Sequence, residues 1–592
     1  MAFQLGYHVQ MKKKLFALLL CVFVLSSAMA ANVDSRMLIS TSPIYDYMDT
    51  LYSLSSMSQP STNRPWSEAE ARQILSNVDR SALDRFGQSL YDEVLGIIDE
   101  GAKWQINDDF GLSADADFTY ELYAHSNGED FNLETDWIRS YSDRKPLMHF
   151  AFDFTASDFF YTSFDANYQF GRASHRDTFK GYAGSPLVSA DGYVGSYKLT
   201  SDSHYVSNSY FFSTPLVSNF FTDTFDFSFV WPKRAIFSLG GKNWNLSLNR
   251  DRLKIGDAYL GNMLVDDSTD YNDFSRLSIF VDDFKYDWIL MFFNTWTSSD
   301  EYSASDINGN RMMMIHTLEF RLWNRATLKI SENVMYRYDT LDLQFLNPAF
   351  IYHNLNNRSM FNAIAYVEAN VSIFKGFQLY GQYVMDQARA LHEGAEQSDS
   401  SGFVAGAQYV CELGKGYLES NAEFVYTTPL LYRRDKLDFI KVSRYYHLDE
   451  FDTSSYDGHI PFFEYIGFQY GGDTIALKVG ADYTKPSVFG TSLYVLLMEH
   501  GQMNIYMSHN QSASNEGEAN YSGKTPSGDV ITRAIAASFS FDASLDKAFK
   551  WHGVSGGFEL DWIGRWKYTK ATEAYSDPEM DLQFSLSMTV AL

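Results

Sequence analysis

The sequence predicts an all-β protein: a large closed antiparallel transmembrane β-barrel of about 16 to 20 strands, 18 favoured, preceded by a small helical module. Two observations carry this prediction. Apolar and polar residues alternate up to the last residue in "DLQFSLSMTVAL", Asp581 to Leu592, and short connections between predicted strands alternate with long ones. Because an open strand edge is not tolerated in hydrocarbon, such a terminal strand indicates pairing with the first strand.

The first 30 residues have the layout of a secretory signal peptide. A cationic start at Met11 to Lys14 precedes an apolar stretch from Leu15 to Leu25, and Ala28-Met29-Ala30 is a small-residue cleavage site. We therefore predict a cleaved signal peptide over residues 1–30, with Met11 as an alternative start, and export to the outer membrane.

The next part of the chain has helical spacing. Ser67-Glu68-Ala69-Glu70 is a capping box in front of an apolar run, and a further apolar stripe at helical spacing stops at Gly101. We expect a periplasmic helical module over residues 31–107 and the barrel over residues 108–592.

From about residue 108, apolar residues no longer follow helical spacing but occur at every second position, as in β-strands. The clearest case is a hairpin from Phe361 to Asp386 with a tight turn at Lys375-Gly376. Further short connections are predicted at Asp283 to Lys285, Trp323 to Arg325, Gly414 to Gly416, Gly471 to Asp473, His500-Gly501 and Ser544 to Trp551. Longer polar connections are predicted at Ser298 to Asn310, Asp339 to Met360, Gln387 to Ser401, Thr427 to Pro461 and Ser508 to Gly528. Short turns at one end and long loops at the other are typical of outer-membrane barrels.

One carboxylate interrupts an apolar strand face. Glu332 shares the parity of Leu328, Ile330 and Val334 in "ATLKISENVMY", where a charge facing lipid is costly. We predict a β-bulge that turns Glu332 toward a polar lumen, with a position at the membrane interface as the alternative.

The composition limits the kinds of partner that the chain is expected to bind. A formal net charge of -27 argues against nucleic acid. Cys411 is the one cysteine beyond the predicted leader, so an intrachain disulfide is not expected, and its place on an apolar parity favours a packing role. We expect a monomer surrounded by outer-membrane lipid.

The order of several motifs resembles the Wzi family of outer-membrane capsule-assembly proteins. The carrying stretches are "YDYMDTLYSLSSM...NRPWSEAEARQIL", "LSLNRDRLKIGDAYLGNMLVDDS", "HTLEFRLWNRATLKISENVMY", "LQFLNPAFIYH" and "FQLYGQYVMDQ". The resemblance implies a barrel plugged by helices on its periplasmic side, acting without catalysis to bind or organise capsular or other surface polysaccharide. The chain has Lys254-Ile255-Gly256-Asp257 where many members of that family have a Trp-Gly-Pro-like run. This difference weakens the expectation that the ligand contacts of the family occur at these positions.

In "LEFRL", Glu319 and Arg321 alternate with apolar residues, so both are expected to face the lumen. There they could form a ligand site or, as the alternative, a structural ion-pair ladder. The resemblance singles out the following lumen or motif residues: Arg250, Arg252, Glu319, Arg321, Glu332, Asn347 and Asp386.

A cationic stretch in the connection after Thr427 is the predicted polysaccharide site. Arginine can bind carboxylate or phosphate at two points, and tyrosine can stack on sugar faces, which suits an anionic glycan or lipid headgroup. Pairing of these charges with nearby acidic loops is the alternative. The predicted residues are Tyr432, Arg433, Arg434, Lys436, Lys441, Arg444, Tyr445 and Tyr446.

Catalysis is not expected. Gly553 to Gly557 matches G-x-S-x-G, but it opens a strand, whereas a nucleophile elbow joins a strand to a helix. The acidic stretches 266–273 and 300–306 lack EF-hand spacing, so neither a metal nor a cofactor is predicted. Two other hypotheses stay open: a diffusion channel for small anionic or sugar solutes, and a secreted soluble glycan-active enzyme.

Overall fold

The computed structural model describes most of the chain from residue 33 onward, so the predicted signal peptide lies outside the described residues. The described ranges are 33–107, 109–131, 136–139, 143–170, 177–179, 193–194, 197–198, 208–209, 215–220, 227–293, 310–338, 347–349, 361–387, 400–433, 437–448, 459–503, 505, 524–546 and 550–592.

Eighteen antiparallel strands form one closed barrel. The first nine are β1 (Phe110–His125), β2 (Met148–Ala156), β3 (Phe160–Phe170), β4 (Ala235–Gly241), β5 (Trp244–Asp251), β6 (Asn272–Val281), β7 (Phe284–Phe293), β8 (Asn310–Leu322) and β9 (Ala326–Tyr338). The others are β10 (Phe361–Phe374), β11 (Phe377–Gln387), β12 (Ser400–Leu413), β13 (Gly416–Thr427), β14 (Thr474–Lys485), β15 (Phe489–His500), β16 (Val530–Ser544), β17 (Val554–Thr569) and β18 (Glu579–Ala591).

The alternation that runs to the C-terminus is explained by barrel closure. β18 pairs with β17 on one side and with β1 on the other, with Val590 opposite Phe118, and the Leu592 amide donates to the Ala116 carbonyl at 2.8 Å. The predicted pairing of the last strand with the first is confirmed, and the sheet has no free edge between them.

Shorter strands extend or accompany the barrel. One pair, Asn63–Arg64 with Lys254–Ile255, lies inside the barrel. The remaining short strands are Trp104–Asn107, Asp177–Phe179, Tyr193–Val194, Tyr197–Lys198, Asn208–Ser209, Leu216–Ser218, Phe227–Val230, Ile440–Leu448, His459–Tyr465 and Ala574–Tyr575.

Most outward-facing side chains of the strands are apolar, and many of them are exposed. On β15, for example, Leu493, Val495 and Leu497 are exposed, whereas lumen-facing residues of the same barrel include many polar side chains. Aromatic rings contact each other across neighbouring strands near the short turns, as aromatic girdles do at a membrane interface. The pairs are Phe154 with Phe160, Phe160 with Phe237, Phe284 with Phe320, Phe489 with Phe541, and Phe541 with Phe558.

Three helices occupy the short-turn end of the barrel: α1 (Ile44–Leu54), α2 (Glu68–Ser76) and α3 (Arg85–Ile98). The predicted cap of α2 is present, because the Ser67 hydroxyl accepts from the Glu70 amide at 3.3 Å. The helices share an apolar core with Val410 and Tyr417 of the barrel wall. In the described ranges, no helix has the length and apolarity needed to cross a membrane.

Two of the predicted short turns are wrong. β13 ends at Thr427 and β14 begins at Thr474, so Gly471 to Asp473 belongs to a long connection; His500-Gly501 likewise opens the long connection to β16. The tight turn is instead at residues 486–488, where the Val488 amide donates to the Lys485 carbonyl at 3.0 Å. Only Pro486 marks this turn in the sequence, and the strand pattern continues on both sides.

The predicted bulge at Glu332 is also wrong. β9 pairs residue by residue with β8 and β10 through this position, with Glu332 opposite His316 and Ala365. Glu332 therefore keeps the outward parity of Leu328 and Ile330 and is half-buried.

The turns at Gly376 and Gly414 give a matched pair of substitutions. Both glycines have positive φ, 81° and 66°, but a Cβ at Gly376 would overlap the Val410 carbonyl oxygen, whereas a Cβ at Gly414 would meet open space. We expect Gly376→Ala to lower the free energy of unfolding by about 1–3 kcal/mol more than Gly414→Ala does, because only the first combines backbone strain with a backbone clash. Urea unfolding in lipid vesicles measures this difference; equal losses would contradict it.

Candidate functional site

The lumen beside β6 to β13 is filled by the protein itself. The connection between β5 and β6 folds into the barrel and contributes Leu253, Ile255, Met263 and Val265 to a core shared with inward-facing wall residues. Wall members of this core include Ile289, Met313, Ile364, Val384, Val404 and Val425. A lumen packed with apolar side chains on this side is a plug rather than a water-filled pore.

The N-terminal chain enters the same plug from the opposite end. Asn63–Arg64 pairs with Lys254–Ile255, so the segment after α1 and the β5–β6 connection form a two-stranded ladder inside the barrel. Arg64 also forms an ion pair with Asp49 of α1 at 2.5 Å. The helical module is therefore tied to the plug as well as to the barrel mouth.

A buried ion pair fixes this N-terminal segment to the wall. Arg276 of β6 binds Asp287 of β7 at two points, both 2.9 Å, and donates to the Pro65 carbonyl at 2.5 Å. Asn63 donates to the same Asp287 at 2.7 Å and to Thr317 at 2.8 Å. Both charged side chains are almost completely buried, so each depends on the other for its charge to be compensated.

A second ladder of charges follows on the neighbouring strands. Lys329 lies 3.6 Å from Glu319 and 3.1 Å from Glu368. Ser61 donates to Glu319 at 3.1 Å, and Thr62 donates to Glu368 at 2.7 Å. The prediction that Glu319 faces the lumen is confirmed, and its geometry is that of an ion-pair ladder.

Arg321 faces the lumen as well, and it holds the chain directly after α1. Its guanidinium donates to the Ser58 carbonyl at 3.0 Å and to the Gln59 carbonyl at 2.8 Å, and it stacks over the Tyr52 ring. All three contacts are with the N-terminal segment, so Arg321 anchors the plug.

The α2 carboxylate Glu70 joins the first ladder through an ion pair with Lys285 of β7. Burial raises the pKa of Glu70, while the Lys285 and Arg276 cations act in the opposite direction. The contact connects the helical module to the same wall that carries Arg276.

Three residues of the predicted polysaccharide patch are buried and bind other parts of the chain. Tyr432 donates to the Met263 carbonyl at 2.5 Å. Arg433 pairs with Asp438 at 2.9 Å, and Lys441 donates to Asn272 at 3.2 Å. Met263 lies in the plug and Asn272 lies on the wall beside it, so Tyr432 and Lys441 fasten the connection after β13 there, whereas the Arg433–Asp438 pair lies within that connection.

The other five residues of that patch are not tested. Arg434 and Lys436 lie outside the described residues, and of Arg444, Tyr445 and Tyr446 only the backbone is described, in the strand Ile440–Leu448. Their role in glycan binding stays a prediction.

The remaining motif residues divide between lumen and outer wall. Asp386 is buried on the lumen-facing parity of β11, and Arg252 lies at the start of the β5–β6 connection. Arg250, in contrast, shares the outward parity of Leu248 and pairs with Asp273 at 2.7 Å. Asn347, singled out by the family motif, is exposed next to Pro348, whose carbonyl accepts from Tyr286 on the outward face of β7.

The sequence reading missed Arg276, Lys285, Asp287, Lys329 and Glu368. All five occupy the lumen-facing parity of strands whose outward residues are mostly apolar, so extending the parity used for Glu319 along β6 to β10 would have found them. Which charges form pairs depends on register, which parity alone does not give.

The ladder charges bind one another and the plug. In the part of the chain that the structure describes, no three His, Cys, Asp or Glu side chains are grouped so as to hold a metal ion. The G-x-S-x-G match lies at the start of β17, with Ser555 opposite Thr589 of β18.

Comparison with solved structures supports the fold. Wzi of Escherichia coli, described as an outer-membrane protein involved in group 1 capsule assembly and a carbohydrate-binding β-barrel, aligns with a TM-score of 0.53 at 9% identity, covering 94% of this chain and 99% of Wzi. The outer-membrane channel DcaP of Acinetobacter baumannii aligns at 0.32 and 9% identity (83% and 100% covered), and the outer-membrane protein OprD of Pseudomonas aeruginosa at 0.35 and 7% (81% and 94%). No family model and no curated protein sequence matches.

Proposed function

We propose that this chain is a non-enzymatic outer-membrane barrel of the Wzi type, which binds or organises surface polysaccharide at its long-loop end. The fold is that of outer-membrane β-barrels, and export through the predicted signal peptide would bring the chain to that membrane. The three helices then face the periplasm and the long loops face the outside.

The observation that favours a binding role over transport is the filled lumen. The N-terminal segment, the β5–β6 connection and the residues after β13 meet inside the barrel and bury a common core. A barrel closed in this way leaves its outer end as the surface available to a large polymer, because a polysaccharide chain cannot pass a packed interior.

The experiment compares cell-attached with shed polysaccharide in a strain lacking the gene and in the parent. We expect a larger shed fraction without the protein, restored by the wild-type chain. Unchanged partitioning would overturn the proposal.

The patch can be tested in the same assay. A double variant, Arg434→Ala with Lys436→Ala, is expected to restore attachment less well than Lys524→Ala with Lys567→Ala, which removes two exposed cations from the long-loop end of the barrel. Equal restoration by the two double variants would show that Arg434 and Lys436 do not contribute to polysaccharide attachment. The proposed function of the whole chain would not be affected by that result.

A diffusion channel for small solutes is the second candidate, and one observation favours it. On the far side of the lumen, the inward-facing side chains of β14 and β15, such as Asp482, Ser492 and Tyr494, are only half-buried, and a Cβ at Gly490 would meet open space. Water therefore reaches this part of the wall, and an uninterrupted path through it would carry ions.

A further inference from the structure

The lumen is more open on the side of β14 to β16 than beside the plug. Inward-facing residues of these strands are small or polar and partly exposed, for example Gly480, Ser492 and Ser540. A Cβ at Gly490 would meet no atom within 4 Å. We call the space between these residues, α1 and the β5–β6 connection the lumen chamber.

The helix α1 borders the chamber at the short-turn end. Asp46 is exposed, although it lies within electrostatic range of Asp482 on β14 and of Lys254 in the β5–β6 connection. The Ser487 amide, in the turn between β14 and β15, donates to the Tyr47 hydroxyl at 3.2 Å. The helix is therefore held against this side of the wall, and Asp46 faces the chamber.

The charges around the chamber are mainly negative. Among the described residues, carboxylates from four elements lie within electrostatic range of one another: Asp46 and Asp49 of α1, Asp257 of the β5–β6 connection, Glu419 of β13 and Asp482 of β14. An enclosed space with charges of one sign and walls of low dielectric constant focuses the field, which raises the local concentration of counter-ions.

Three cations lie beside these carboxylates and compensate them only in part. Arg64 pairs with Asp49 at 2.5 Å. Lys478 of β14 donates to the Tyr259 carbonyl at 2.8 Å, and Lys254 lies within electrostatic range of Asp257. The balance of charge around the chamber therefore stays negative.

An unpartnered acceptor on the wall favours the same kind of ligand. Asn421 of β13 is 5% exposed, and its Nδ2 donates to Asp482 at 3.5 Å. In the described part of the chain, no donor contacts its Oδ1, which lies over Gly480, where a Cβ would be 3.0 Å from it. The ring of Tyr494, opposite Gly480, already contacts a cation, because the Lys478 Nζ lies 4.5 Å from its centroid. A buried acceptor without a donor is costly, so a ligand with positive charge or N–H donors suits this wall.

We infer that the lumen chamber concentrates small cations, such as alkali ions and protonated amines, and repels small anions. The inference does not rest on the polysaccharide proposal. It narrows the second candidate function instead, because a solute that accumulates in this part of the lumen is positively charged, in contrast to the anionic solutes that the sequence suggested.

Charged thiol reagents measure the potential in the chamber. In the full-length chain with Cys411→Ala, the rates at Gly490→Cys are measured with a cationic trimethylammonium methanethiosulfonate and with an anionic sulfonate one. Both rates are divided by those of a small neutral thiol in solution. We expect at least about a tenfold preference for the cationic reagent, because a potential of several kT acts on the two reagents with opposite sign.

Three results would overturn the inference. They are equal normalised rates, a preference for the anionic reagent, and a lack of reaction with both reagents in a chain that is folded by heat-modifiable migration in gels. The last result would show that solution does not reach the chamber.

A matched pair of substitutions tests whether the preference arises in the chamber. Asp482→Asn removes a carboxylate of the chamber, whereas Asp577→Asn removes an exposed one in the connection between β17 and β18. We expect Asp482→Asn to lower the preference for the cationic reagent at least about threefold and Asp577→Asn to leave it unchanged, because the interaction between charges falls with distance. Equal effects would assign the preference to the net charge of the whole chain and overturn the inference.

Discussion

Arg276→Ala is expected to lower the free energy of unfolding by about 3–5 kcal/mol, because it leaves Asp287 buried without its cation. The same substitution removes the bond to the Pro65 carbonyl, so we also expect the N-terminal segment to become more accessible to protease. Equilibrium unfolding in urea, in reconstituted vesicles, measures the first effect, and limited proteolysis measures the second.

Two controls separate the buried charge from a general loss of contacts. Lys375→Ala breaks an exposed pair with Asp84 and should cost less than about 1 kcal/mol. The double variant Arg276→Met with Asp287→Leu removes both charges and should recover much of the loss. A loss for Arg276→Ala no greater than for Lys375→Ala would show that this ion pair does not hold the plug.

Leu493→Arg is the second substitution with a large expected effect. Leu493 lies on the outward face in the middle of β15, between Ala481 and Phe539 of the neighbouring strands. A charge at this height in a bilayer costs about 2–4 kcal/mol, so the free energy of unfolding in vesicles should fall by that amount.

The matched control is the adjacent, lumen-facing Ser492. Ser492→Arg places the same charge beside Asp482, its register neighbour on β14, in a part of the wall that water reaches, and should change stability little. Equal destabilisation by the two variants would contradict lipid contact on the outward face.

Much of the barrel could be predicted because lipid imposes one rule on every strand. The alternation from Asp581 to Leu592 led to the pairing of β18 with β1, and the turn at Lys375-Gly376 has the positive φ that glycine permits. The turn at 486–488 was missed because the strand pattern on both sides is uninterrupted. Turn position there depends on pairing with β13 and β16, which single-strand patterns do not contain.

Burial of charge was the least predictable feature. Lys441 lies in a cationic stretch, but its partner is chosen by the fold, because it reaches Asn272, far away in sequence. Arg433, in contrast, pairs with Asp438 of the same stretch. The predicted bulge at Glu332 was wrong for a related reason, because parity identifies the outward face of a strand but not what covers that face. The lumen position of Glu319 and Arg321 followed from parity alone, since both lie in the regular strand β8.

Planar-bilayer recording on the purified full-length protein tests most directly whether the chain closes its own lumen. Heat-modifiable migration of the vesicle-bound protein is checked beforehand, so that a lack of current is not mistaken for a lack of incorporated, folded protein. We predict no steady current from the folded wild-type chain, because the N-terminal segment and the β5–β6 connection pack inside the barrel against the wall of β6 to β13. Steady, large currents from the folded wild-type chain would contradict a closed lumen and favour the diffusion channel.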